Sequence, residues 1–122
     1  VAAVLYLVNF SGHPAPHGAE IFPVVEISPP KAAPVAPEVA AAALKMLAQI
    51  EEDPAVAEAL RRGEVQLVLP GYSPLATALV AAAAGRMGRL PSVRWGIRRR
   101  NKYVLSAPLD LQEIRNGARA GR

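Results

Sequence analysis

Cysteine is absent from the 122 residues, which excludes a disulfide scaffold, a thiol nucleophile and a Cys-ligated zinc site. Histidine occurs only at His13 and His17. Pro14 and Pro16 break the helix that would align this pair with Glu20 around a metal, so neither metal nor cofactor is expected. Ser11 stands two residues from His13, but no acidic orienter completes a triad, and covalent catalysis is not supported. The chain has no G-x-x-x-x-G-K-[ST] and no G-x-G-x-x-G, which argues against nucleoside-triphosphate hydrolysis and dinucleotide redox chemistry. No run approaches the roughly 20 apolar residues that span a bilayer. The opening Val1-Ala2-Ala3-Val4-Leu5-Tyr6-Leu7-Val8 also has no basic n-region or cleavage site. A cytoplasmic protein without membrane contact is the expectation.

About half of the residues are apolar (52%), enough for one domain with a single core and too few for two. Charge is unevenly spread along that domain. Residues 1–85 carry eight carboxylates against four cations, net −4, whereas residues 86–122 carry ten cations against Asp110 and Glu113, net +8. Clustered guanidinium groups match phosphate geometry and focus the local field, so a polyanionic partner is one reading and a solvated basic surface the other.

The punctuation alternates strands with helices. Ala2 to Val8 reads as a strand buried on both faces of a parallel sheet, and Phe22 to Ser28 as a second one. The Pro-rich stretch through Pro37 is expected to be extended. Glu38 to Glu52 has one apolar face at helical spacing, with Val39, Ala43, Leu44, Leu47 and Ile50. Asp53-Pro54 opens a short helix to Arg62 that stops at Gly63. The third strand follows, over the run Glu64 to Pro70. Ser73 reads as an N-cap with Pro74 at the first helical position, opening a helix to about Met87 that Gly88 ends. Ser92 to Ile97 reads as a fourth strand carrying Arg94 and Trp95, the latter first as a core residue. Tyr103 to Ser106 reads as an antiparallel edge strand. A C-terminal helix from about 107, opened by Asp110, has an Arg-rich tail that frays. The expectation is a single α/β domain over 1–122, a Rossmann-like, mostly parallel sheet of four to five strands with helices on both faces.

Open parallel sheets bind ligands at the carboxyl ends of their strands, near the reversal of strand order. Two loops fall there: Asn9-Phe10-Ser11-Gly12-His13 after the first strand, and Gly71-Tyr72-Ser73-Pro74 after the third. The second would present helix N-terminal N–H groups to an anion. In the first, Asn9 and Ser11 offer hydrogen bonds, Gly12 a close backbone approach and His13 a phosphate contact. Each of these residues also has a plain structural role: Gly71 in a left-handed turn, Ser73 as a cap, the loop polar groups satisfying one another.

Three blocks carry a resemblance: Leu5-Tyr6-Leu7-Val8-Asn9-Phe10-Ser11-Gly12-His13-Pro14, then Leu69-Pro70-Gly71-Tyr72-Ser73-Pro74-Leu75-Ala76, then Gly85-Arg86-Met87-Gly88-Arg89-Leu90-Pro91 with Val93-Arg94-Trp95. Together they resemble a small CRISPR-associated family of type III systems, whose members are similar to CARF (CRISPR-associated Rossmann fold) sensory domains. The resemblance implies a CARF-like domain that binds a cyclic oligoadenylate, cyclic tetra-adenylate in the first place, as a homodimer. It damps the signal by sequestration or by slow, metal-independent ring-nuclease cleavage. Ligand contacts are then expected from Asn9, Phe10, Ser11, Gly12, Gly71, Tyr72, Ser73, Arg94 and Arg98, with Phe10 or Tyr72 stacking on adenine, and Ser11 and His13 as catalytic candidates. Two rival readings remain. One is a basic RNA- or DNA-binding accessory module using Arg98 to Lys102; the other is a nucleotide-metabolising enzyme.

Overall fold

The structure, a computed structural model, describes residues 4–31 and 35–122; Ala2 and Ala3 of the expected first strand lie outside them. Strands β1 (Tyr6–Asn9), β2 (Val24–Glu26), β3 (Val65–Val68), β4 (Ser92–Arg94) and β7 (Leu109–Asp110) form one sheet in the order β2-β1-β3-β4-β7. All its neighbours run parallel except β4 and β7. Helices α1 (Ala36–Ile50), α2 (Pro54–Arg61), α3 (Ser73–Met87) and α4 (Leu111–Ala120) complete this single α/β domain, together with a hairpin of β5 (Gly96–Arg99) and β6 (Lys102–Leu105).

Alternation along each strand divides the core in two. Val8, Val65, Leu67 and Val93 point toward α1, α2 and α3, where they join Val39, Leu47, Ile50, Leu60 and Leu79. Leu7 and Val68 point the other way and pack with Ala15, Ala19, Phe22, Val24 and Leu105. That second face is covered by the segment between β1 and β2 and by the hairpin base, not by helices as the sequence suggested. Crossovers of one hand lie on opposite faces when they run in opposite directions across a sheet. Here β1 to β2 runs one way, while β2 to β3 and β3 to β4 run the other. The β1–β2 crossover is short and carries Pro14, Pro16 and Pro23, so it has room for a single 3-10 turn (Ala19–Ile21) and no helix.

Helix ends explain most boundaries. Asp53 caps α2 by accepting the Ala55 N–H (3.0 Å), and Asp110 caps α4 by accepting those of Gln112 and Glu113 (2.9 and 3.3 Å). Gly88, at φ 73°, ends α3 in the left-handed conformation that favours glycine. Three expectations are corrected. Helix α1 starts at Ala36, before the expected Glu38, because Pro37 fits its first turn. The strand expected over Ser92 to Ile97 breaks at Trp95, whose N–H donates to Ser106 Oγ (3.0 Å). The chain beyond then leaves the sheet as β5, and Trp95 turns outward, 47% exposed. The strand expected at Tyr103 to Ser106 pairs with β5 instead, and the sheet edge is β7.

Candidate functional site

Strand order reverses between β1 and β3, because β2 lies beyond β1 on one side and β4 beyond β3 on the other. The loops that leave the carboxyl ends of these two strands border a cleft of about 210 Å³. Ser11 forms one wall and Pro70, Gly71 and Tyr72 the opposite one. Val39, Ala42 and Leu75 floor it, and Pro29, Pro30 and Lys31 close the third side. The sequence reading found the first two walls and missed the third. The signal was present: β2 is also a parallel strand, so its following loop reaches the same edge, and Lys31 is the isolated cation of that Pro-rich loop.

The first loop is held by Asn9, which is 2% exposed. Its Oδ1 accepts from the Ser11 N–H (3.1 Å) and hydroxyl (2.6 Å), and its Nδ2 donates to the His13 carbonyl (2.8 Å). The His13 N–H in turn donates to Ser11 Oγ (3.2 Å). Asn9 is therefore spent on the loop itself and shapes the wall without lining the cleft. Gly12, at φ 77°, is required by the backbone, and a β-carbon there would meet Pro29 Cδ at 3.2 Å, so the close approach it permits is to that proline. Phe10 is 1% exposed and belongs to the core beneath the loop, which removes its ring from any stacking role. His13 faces a neighbouring cavity with Gly12, Glu26 and Ser28, away from the Gly71 wall. His17 sits farther along the loop, with Nδ1 3.7 Å from Glu20 Oε1.

Across the cleft, Gly71 behaves differently. Its φ lies outside the left-handed region, and a β-carbon added to it would meet nothing within 4 Å. Neither backbone geometry nor packing accounts for a glycine there. Helix α3 opens at Ser73 itself with Tyr72 in the cap position, and Pro74 falls in its first turn. Ser73 is thus the first helical residue and not the cap, which corrects the expectation from sequence. The first intrahelical bond runs from the Ala76 N–H to the Tyr72 carbonyl (3.0 Å). The N–H groups of Ser73 and Leu75 precede it and open toward the helix N-terminus. Ser73 itself borders a shallow cavity with Leu69, Ala76, Thr77 and Val80.

The two arginines lie elsewhere. Arg94 points to the sheet face opposite the helices, where Nε donates to Gln66 Oε1 (2.6 Å) and Nη1 to the Ser106 carbonyl (3.0 Å). Its guanidinium carbon stands 4.9 Å from the centroid of the Phe22 ring. Burial there pulls its pKa below the ordinary arginine value. Arg98 belongs to the β5–β6 hairpin, which docks on the first loop through His17 N–H to Tyr103 O and Leu105 N–H to His17 O, both 2.8 Å. Among the residues that line the cleft the one cation is Lys31.

No family model, curated protein or solved structure matches the chain. Among the described residues no helix is long and apolar enough to cross a membrane.

Proposed function

We propose that the protein is a CARF-like, Rossmann-type domain that binds a cyclic oligoadenylate, cyclic tetra-adenylate, as a cytoplasmic homodimer and damps its signal by sequestration. The observation that carries this reading is Gly71: a glycine that the fold does not require, on the wall of a cleft at the strand-order reversal. A missing side chain there leaves the backbone and the first turn of α3 open to close approach by a phosphate. Tyr72, 43% exposed, supplies an aromatic face for a base, and Lys31 a charge from the third wall. A cleft of about 210 Å³ is too small for four nucleotides, so a two-fold pair of protomers, each presenting the same walls to half of the ring, suits the ligand's symmetry. The resemblance of the loop motifs names the ligand; the cleft supports the kind of ligand.

Sequestration is favoured over cleavage by the placement of the two catalytic candidates. The Ser11 hydroxyl is engaged with Asn9, and His13 faces a different cavity from the Gly71 wall. A ring nuclease acting through the ribose 2′-OH would still need a group at the leaving oxygen. The test is to incubate the protein with labelled cyclic tetra-adenylate, measure retention and resolve products over time. Retention of the intact ring is expected, at a stoichiometry of one ring per two chains. Linear products would identify a nuclease, and no retention would sink the proposal. Gly71→Ala should fold normally and lose at least tenfold in affinity, since a methyl group at a close backbone contact displaces the ligand.

A further inference from the structure

The tip of the β5–β6 hairpin concentrates Arg98, Arg99, Arg100 and Lys102 in five residues. Among the described residues the ion pairs join Arg61 and Arg62 to Glu58, Arg86 to Glu51 and Arg89 to Asp110; none reaches these four. Within the basic half of the sequence Arg86 and Arg89 are thus neutralised by carboxylates, and the tip is the densest group of cations that is not. Arg100 stands at φ 57°, the one non-glycine residue among those described with a positive φ. It occupies a turn position where glycine is at ease and arginine is strained.

Register places the rest. Arg98 lies opposite Tyr103 and Arg99 opposite Lys102, so alternation puts Arg98 and Tyr103 on one face of the ribbon. Ile97, Arg99, Val104 and Lys102 share the other, and Trp95, 47% exposed, precedes β5 at the ribbon's base. Tyr103 is 56% exposed. The ribbon therefore carries an exposed Tyr103 beside Arg98 and an exposed Trp95 at its base, and among the described residues no carboxylate forms an ion pair with its tip cations.

We propose that this hairpin is a second polyanion site, separate from the cleft, that binds single-stranded nucleic acid. Its cations hold the phosphodiester backbone, and Trp95 and Tyr103 stack on bases. Three of the four cations are arginines, whose planar forks match phosphate oxygens. The solvent-turned aromatics favour unpaired bases, whose faces are accessible, over a duplex, whose faces are not. An anionic lipid surface fits less well, because the outermost residues are all charged or polar and the apolar ones sit at the ribbon's base.

The probe is an oligouridylate of about 16 nucleotides, titrated into the full chain between about 50 and 200 mM salt. Affinity should fall with a log–log slope of about −2 to −3, from up to four phosphate contacts at roughly 0.7 each. Arg99→Ala with Lys102→Ala should reduce that slope by about 1.4. Trp95→Ala should weaken binding at least fivefold, about the least that stacking supplies, and leave the slope unchanged. The most discriminating variant is Arg100→Gly, which should raise Tm and yet weaken binding, a pairing that misfolding cannot produce. Absence of binding overturns the proposal. So does binding that Trp95→Ala or Arg100→Gly leaves untouched, preference for a duplex of the same length, or displacement of the oligouridylate by excess cyclic tetra-adenylate. Capture by vesicles of phosphatidylcholine and phosphatidylserine in equal parts, with no oligonucleotide binding, would assign the tip to membranes instead.

Discussion

Asn9 and Gly71 belong to the two loops that border the cleft and do opposite kinds of work. Asn9 is buried with both ends of its amide engaged, so its removal takes one hydrogen-bond partner each from the Ser11 N–H, the Ser11 hydroxyl and the His13 carbonyl. Asn9→Ala is expected to lower stability by about 1–3 kcal/mol in urea melts, from the loss of hydrogen bonds worth about 0.5–1.5 kcal/mol each. Gly71 has an open surrounding and an ordinary φ. Gly71→Ala should leave stability unchanged or raise it by up to about 1 kcal/mol, through the entropy of the unfolded chain. A loss of binding in that variant would then be a loss of contact and not of fold. At the hairpin tip, Arg100→Gly relieves a left-handed arginine, and the net gain should be about 0.5–1 kcal/mol, roughly 2–5 °C in Tm, by differential scanning calorimetry.

At the scale of elements, two Pro-bearing helix starts that look alike in sequence differ in structure. Asp53-Pro54 is a true cap, with the carboxylate accepting the Ala55 N–H. Ser73-Pro74 is not, because α3 begins one residue earlier and Tyr72 takes the cap position. Asp53→Ala should therefore cost about 1 kcal/mol, and Ser73→Ala less than about 0.5 kcal/mol, measured by chemical denaturation. The proline is compatible with either of the first two helical positions, so the dipeptide alone does not fix the frame. The same kind of ambiguity split the strand expected at Ser92 to Ile97. Gly96 is the one local break signal in that run, and the chain leaves the sheet where Trp95 is tied to Ser106, through its N–H to Ser106 Oγ and through the Ser106 N–H to its carbonyl.

The whole molecule is a parallel sheet with unequal covers. Leu7 is as buried as Leu67, though one faces a loop and the other the helices. Leu7→Ala and Leu67→Ala should each cost about 2–5 kcal/mol in equilibrium melts, since cavity formation depends on burial and not on what kind of element provides it. The alternating fold and the edge where the cleft lies were legible in the sequence, because apolar runs, caps and glycines are local signals. The thin second cover was not: the prolines of the short β1–β2 link are a local signal against a helix, but that no other crossover covers that face follows from the directions of the crossovers, which no local pattern encodes. Nor were the outward turn of Trp95 and the internal engagement of Arg94 with Gln66 and Phe22, which join residues far apart in the chain.

The bonds between His17 and both Tyr103 and Leu105 make the first loop and the hairpin one mechanical piece. Regions tied in this way open to solvent together, as a single cooperative unit of native-state fluctuation. Hydrogen exchange at the His17 and Leu105 amides should consequently proceed at matching free energies, well apart from the freely exchanging tip between them at Arg100. A molecule gripping Ser11 at the far end of that loop would then slow exchange in a hairpin it never touches.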